Sequence, residues 1–369
     1  MGVIESLAGV LLVALATSLG WGLRGEWGHW WGATAPGAFC GMATWLAFGG
    51  TGDGWQMLIF GAVMAISLSL GGVLSYGKIV GYVKSEHDRS PAFGTLALFL
   101  VGGLWGFFGG TGLGLLMTEI EYGLVDLATW ALLASIGAYL AYKFLVLGLD
   151  LHLSPPRSDA WAAVLGGSML TAAYFALGPG DLVVLRTAFL GWLGFGGGFS
   201  LGALVHRRCV NMGWKVDSWK FMEHSVGFGG GLALGVSAVL AGGNLEPIGA
   251  SDAGLLASLI VVVWLMPYMN TSDNFEHWFR KMEWISGRTF AAFQAISLLC
   301  LVVLIFFGKI LVETWSATGG YRLLFVLLLS LMVFLAISKF RFDRGRVRLL
   351  VDATFLGELA GCLALLFLL

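Results

Sequence analysis

Apolar runs of about 18 residues or more recur along the whole of this chain, and they limit its fold more than any other feature. The runs lie at about 4–23, 31–50, 55–77, 93–117, 126–148, 159–178, 183–205, 220–241, 252–269, 289–312, 321–338 and 349–369. They are long enough to cross a bilayer as helices, and too long and continuous for barrel strands. Because a lipid-exposed backbone must satisfy its own N–H and C=O groups, helices are expected. The sequence therefore predicts an all-α polytopic integral membrane protein with about twelve transmembrane helices.

Composition agrees with this class and argues against others. The chain is 58% hydrophobic and 12% charged, whereas soluble domains are about a quarter charged. Its net charge of -1 offers no basic surface for nucleic acid. The four cysteines are far apart, and no nucleotide-binding or metal-binding motif is found, so no cofactor and no metal are predicted. The expected partners are the lipid bilayer and a small solute.

The distribution of basic residues predicts the orientation. All but three of the 21 Lys and Arg residues lie in or beside the connections that follow odd-numbered spans. The exceptions are Arg186, Lys309 and Arg322. The positive-inside rule makes the basic side cytoplasmic, and an even number of spans then places both termini outside. A chain without a soluble domain suits a bacterial inner membrane, with periplasmic termini.

Two glycine-rich segments recur in the same order and predict internal repeats. Residues 71–77 resemble 196–202, and 106–114 resemble 227–235, at offsets of 125 and 121. A four-span repeat inserts with the same orientation each time, which predicts parallel repeats over 1–124 and 125–248, with a weaker third unit over 249–369, in one membrane domain. With 56 glycines in the chain, coincidence is the alternative. The glycine-rich faces predict close helix packing and could join copies into a homo-oligomer.

The first candidate site lies at the end of the first span. Arg24 supplies a cation for an anionic group, while Glu26 and His29 stand one helical turn apart and can share a proton. Trp27 and Trp30 offer flat faces for sugar rings or cations. Replacing Glu26 or His29 is expected to leave folding intact, since little packed apolar area is lost. The alternative is an interfacial aromatic belt with a snorkelling arginine.

Two further candidates lie near the start of span eight and in the last span. Glu223 and His224 are predicted to bind substrate, and Glu358 with Asp352 to couple protons or ions. A charge within a span costs about 2.5–3.5 kcal/mol on insertion scales and therefore requires a reason. The alternatives are a structural Glu–His pair and a satisfied hydrogen bond between helices.

Taken together, these residues favour a transporter or permease for a small polar solute such as a sugar, sugar acid or other organic anion. The acids and histidines are candidates for proton coupling. One alternative is an intramembrane transferase or hydrolase that uses a Glu–His pair on a lipid-linked substrate. The other is an accessory structural subunit of a membrane complex.

Overall fold

The computed structural model describes residues 2–27, 33–49, 54–156, 159–243, 245–249, 251–269, 272, 287–317, 319–339 and 346–369. Helices make up 84% of the structure, and the described residues form no strand. Ten helices within these ranges are long and apolar enough to cross a membrane. The all-α membrane fold is therefore confirmed, whereas a total of twelve spans stays a prediction.

The helices follow one another along the chain with short connections. They are α1 (Val3–Trp27), α2 (Thr34–Phe48), α3 (Trp55–Ser69), α4 (Gly77–Val83), α5 (Pro91–Met117), α6 (Leu124–Ala141), α7 (Ala160–Leu177), α8 (Leu182–Asn211), α9 (Ser218–Leu240), α10 (Asp252–Leu259), α11 (Gly287–Ala317), α12 (Tyr321–Lys339) and α13 (Arg346–Leu368). A 3₁₀ turn extends α3, and π-helical turns extend α6 and α10. Of the twelve predicted spans, α2 and α9 are the two outside the set of ten.

Six helices close into a ring in the order α1, α2, α3, α5, α8 and α9, with α9 returning to α1. The middle of the ring is filled by aromatic side chains. The ring of Trp21 lies 5.0 Å from that of Trp105 and 5.4 Å from that of Phe195, and all three are buried. The paired helices α6 and α7 pack outside the ring, and α13 packs mainly on α1.

Glycines let the ring helices touch backbone to backbone. Along α5, Gly102, Gly106, Gly110 and Gly114 repeat every fourth residue and face α8. A methyl group built on Gly106 would lie 2.0 Å from the carbonyl oxygen of Gly191, nearer than real atoms approach. In lipid, helices gain no hydrophobic stabilisation when they associate. Close contact between backbones stabilises their packing through dispersion attraction instead.

The third predicted span is interrupted. Its helix and 3₁₀ turn end at Val73, residues 74–76 are non-helical, and the short α4 follows. The two segments related by the repeat prediction therefore differ locally. Ser75 lies in the break, whereas Ser200 lies inside α8 and donates a hydrogen bond to the carbonyl of Thr95 at 2.9 Å. The break also brings Tyr76 to the end of α1.

Candidate functional site

Candidate residues from three distant parts of the sequence meet between α1, α9 and α13. We call the end of the bundle where α1 ends and α9 and α13 begin the basic end. The charge cluster lies there and comprises Arg24, Glu26, Lys220, Glu223, Arg348 and Asp352. The inner triad comprises Ser18, His224 and Glu358. Both groups together form the polar seam.

Glu26 is the hub of the charge cluster. Its Oε1 atom lies 2.9 Å from Nη1 of Arg348 and 3.1 Å from Nζ of Lys220, and its side chain is 1% exposed. Each cation has a second carboxylate: Lys220 pairs with Glu223 at 2.7 Å, and Nε of Arg348 pairs with Asp352 at 3.2 Å. Sharing of this kind offsets the cost of holding charges away from water.

Glu223 lies directly against the backbone of α1. A methyl group on Gly25 would be 1.9 Å from its Oε2 atom, so only glycine leaves room for the carboxylate. The Oε1 atom accepts hydrogen bonds from Nε1 of Trp219 at 2.9 Å and from the hydroxyl of Tyr76 at 3.5 Å. The glycine face predicted for helix packing therefore receives side chains of α9 here.

Arg24 points into the ring interior. Helix α1 continues unbroken past it, and the residue is 1% exposed. Its Nη1 atom donates to the hydroxyl of Tyr76 at 2.6 Å, and its guanidinium lies 4.7 Å from the Trp105 ring centre and 5.5 Å from that of Trp21. Cation–π contacts are stronger in such desolvated surroundings. The idea that Arg24 snorkels outward as part of an aromatic belt is wrong.

The inner triad lies deeper in the bundle. Glu358 follows Arg348 by ten residues on α13, which corresponds to about 15 Å along a helix. Its Oε2 atom lies 2.9 Å from Nδ1 of His224, and its Oε1 atom 2.6 Å from Oγ of Ser18. Oγ of Ser18 is also 2.9 Å from the carbonyl oxygen of His224. Glycine again makes room, since a methyl group on Gly22 would be 2.4 Å from the His224 ring.

The predicted residues that the structure brings together are Arg24, Glu26, Glu223, His224, Asp352 and Glu358. His29, Trp30 and the side chain of Trp27 lie outside the described part of the structure, so their roles stay predictions. Sequence reasoning missed Ser18, Tyr76, Lys220 and Arg348. The sequence does indicate two of these residues. Lys220 stands three residues before Glu223, and Arg348 four residues before Asp352. These spacings place opposite charges on one face of a helix.

A pocket of about 410 Å³ flanks the seam between α8, α9 and α13. Lys220 and His224 contribute to its wall beside Val205, Cys209 and Thr354. Most of its surface is apolar. The polar seam is thus reached from a space that suits the apolar part of an amphipathic molecule.

Comparison with known proteins assigns no identity. The chain matches no protein family, and no curated protein or solved structure is significantly similar to it. The chemistry of the polar seam is therefore the guide to function.

Proposed function

We propose that this protein is a proton-coupled permease for a small polar solute, with an organic anion favoured, and that the polar seam is its path. The observation that carries the proposal is the convergence of ionisable groups from α1, α9 and α13 into one line from the basic end towards the middle of the spans. Charges inside a membrane protein are costly and mark pathways for ions and substrates. The proposal includes twelve spans, parallel repeats, a bacterial inner membrane and termini on the outside.

The charge cluster suggests how an anion and a proton would move together. Glu26 lies between Lys220 and Arg348 as an internal anion. Protonation of Glu26 would release both cations, and a carboxylate or phosphate of the solute would take its place. Arginine binds such groups through two parallel hydrogen bonds, while lysine acts as a point charge. One proton and one negative charge then enter together, which keeps the cluster electrically balanced.

Helix α13 is the element suited to move. It carries Arg348, Asp352 and Glu358, and it packs mainly on α1 rather than inside the glycine-packed ring. Its contacts to α9 include the His224–Glu358 hydrogen bond. Exchange of these polar partners would let α13 shift against the ring. The ring helices themselves can move little, because their backbones are in direct contact.

Uptake into proteoliposomes tests the proposal. Purified protein is reconstituted, a pH gradient is imposed, and a filtered small-molecule extract of the expressing bacteria is supplied outside. Mass spectrometry of the lumen identifies any solute that accumulates, and a trapped pH dye follows proton entry. The parent is expected to accumulate a solute with protons, whereas Glu358→Gln is not. The matched control is Glu313→Gln, an exposed carboxylate on α11 outside the seam. Equal behaviour of parent and Glu358→Gln would contradict the proposal.

The flanking pocket favours a second candidate, an activity on a lipid-linked or otherwise amphipathic substrate. The apolar wall of the pocket would hold the hydrocarbon chain of the substrate, while Lys220 and His224 face its head group. Native mass spectrometry tests this, since a retained lipid should be lost in Thr354→Trp, which fills the pocket. Leu356→Trp is the control, because Leu356 is 53% exposed and does not line the pocket. Equal lipid retention by both variants would argue against this candidate.

A further inference from the structure

We infer that Glu358 holds a proton in this conformation and donates it to Ser18, so that the inner triad is a neutral, proton-loaded site. The inference rests on the proposed function only in assigning this proton a part in the coupling. The protonation itself follows from hydrogen-bond geometry and can be measured without transport.

The two hydrogen-bond contacts of Ser18 indicate where the proton lies. Oγ of Ser18 contacts two oxygens, Oε1 of Glu358 at 2.6 Å and the carbonyl oxygen of His224 at 2.9 Å. A hydroxyl carries one hydrogen, and a carbonyl oxygen can only accept. If Ser18 donates to the carbonyl, its contact with Glu358 is a hydrogen bond only when Glu358 supplies the hydrogen. Each group then donates once around a closed cycle, from His224 Nδ1–H to Glu358, from Glu358 to Ser18, and from Ser18 to the His224 carbonyl.

The other ring nitrogen of His224 also favours a proton on Glu358. Nε2 is buried and has no hydrogen-bond partner among the described residues. If the proton moved from Glu358 to the imidazole, Nε2 would become a buried N–H donor of a cation without an acceptor. A neutral imidazole leaves only a lone pair there, which is less costly than an unpaired buried charge. The neutral pair is therefore favoured over the ion pair.

The surroundings of the triad agree with a neutral site. Among the described residues, the titratable groups that face Glu358 are His224 from α9 and Cys362 from its own helix, while α1 contributes the hydroxyl of Ser18. The ring of Phe355 packs against His224 at 5.0 Å between centres. In the charge cluster, Lys220 and Arg348 are engaged by Glu26, Glu223 and Asp352, and Arg24 donates to the hydroxyl of Tyr76. When the proton leaves, the O–H bond of Glu358 breaks, the carboxylate keeps the electron pair, and water accepts the proton.

The substitution Glu358→Gln separates the two protonation states. A glutamine reproduces the protonated acid, because its amide nitrogen can donate to Ser18 while its oxygen accepts from His224. It cannot reproduce a carboxylate, which donates nothing. Thermal unfolding of purified protein should therefore give the same midpoint for Glu358→Gln and parent, and a lower one for Glu358→Ala. A fall in Glu358→Gln as large as in Glu358→Ala would overturn the inference.

Infrared spectroscopy near neutral pH supplies a second readout. The difference spectrum between parent and Glu358→Gln should show the loss of one C=O stretch of a protonated carboxylic acid. In Ser18→Ala this band should shift to higher frequency, because the acid loses its acceptor. Asp352→Asn is the control and should leave the band in place, since Asp352 pairs with Arg348. Absence of the band in the parent would overturn the inference, even if Glu358→Gln has lost transport. Presence of the band with unchanged transport in Glu358→Gln would uphold the inference and remove proton coupling from the proposed function.

Discussion

The ion pairs of Glu26 reverse the expectation from the sequence that its replacement leaves folding intact: Glu26→Gln is expected to destabilise the folded protein, although it removes almost no apolar area. The carboxylate accepts from Arg348 at 2.9 Å and from Lys220 at 3.1 Å in a position nearly closed to solvent. Glutamine keeps the shape and one acceptor oxygen but loses the negative charge. Among the described residues, Glu223 and Asp352 then remain as the carboxylate partners of Lys220 and Arg348.

The size of the effect follows from these contacts. Removing one partner of a buried ion pair costs about 3–5 kcal/mol. Because Lys220 and Arg348 each retain a second carboxylate, we expect the lower end, about 3 kcal/mol. The control is Glu86→Gln, which removes a carboxylate 2.7 Å from Lys84 that is 50% exposed. Exposed pairs contribute about 0–1 kcal/mol, so this variant should resemble the parent.

Thermal unfolding in detergent, followed by tryptophan fluorescence, compares the two variants under one condition. A double-mutant cycle with Arg348→Gln then isolates the coupling between positions 26 and 348, which should exceed about 1 kcal/mol for contacting buried partners. If Glu26→Gln unfolds at the same temperature as the parent and Glu86→Gln, the charge cluster contributes no stability, and the structural account of Glu26 is refuted.

Two further predictions concern packing and pH. Gly106→Ala should lower the thermal midpoint strongly, because the new methyl group would meet the Gly191 carbonyl at 2.0 Å, whereas Gly197→Ala, with no atom within 4 Å, should be neutral or stabilising. A destabilised Gly197→Ala would refute the packing argument. Hydrogen bonds to Asp159 and Asp150 raise the pKa of His152, which lies in the connection between α6 and α7. Because the pKa of His152 is raised in the folded protein, its contribution to the free energy of unfolding is fully present below the ordinary histidine pKa of about 6.5. That contribution is lost as pH rises through the raised pKa. An NMR titration of His152 in parent and Asp159→Asn checks this, and identical curves would contradict it.

The sequence predicted the all-α membrane fold because a bilayer-length apolar run has few alternatives to a helix. It did not predict the break at residues 74–76, since the run over 55–77 contains no charged residue and no proline. Just before the break, the indole of Trp105 occupies the space beside Gly71, where a methyl group would be 1.2 Å from it. The composition of residues 55–77 does not indicate a contact with Trp105, which lies more than thirty residues away from Gly71.

The candidate site was predicted as separate stretches, and their meeting was not foreseen. Polar residues within apolar runs single out Glu223, His224 and Glu358 as separate candidates, and the structure places all three in the polar seam. The charge pattern places Lys220 and Arg348 in or beside the connections, where a basic residue near a helix end is normally solvated. Their pairing with Glu26 depends on how α9 and α13 dock on α1, which no single helix specifies.

The separation of Glu26 from Arg348, 322 residues along the chain, has a consequence for synthesis. At about 5–20 residues per second, a ribosome needs on the order of half a minute to make the chain between them. During that time Glu26, at the end of α1, lacks Arg348, and until α9 is made it also lacks Lys220. Because a charge within the bilayer is costly, we expect Glu26 to stay near the head groups until α13 arrives. A chain that stops before α13 would therefore expose a charged helix end, which membrane quality control can recognise as unfinished.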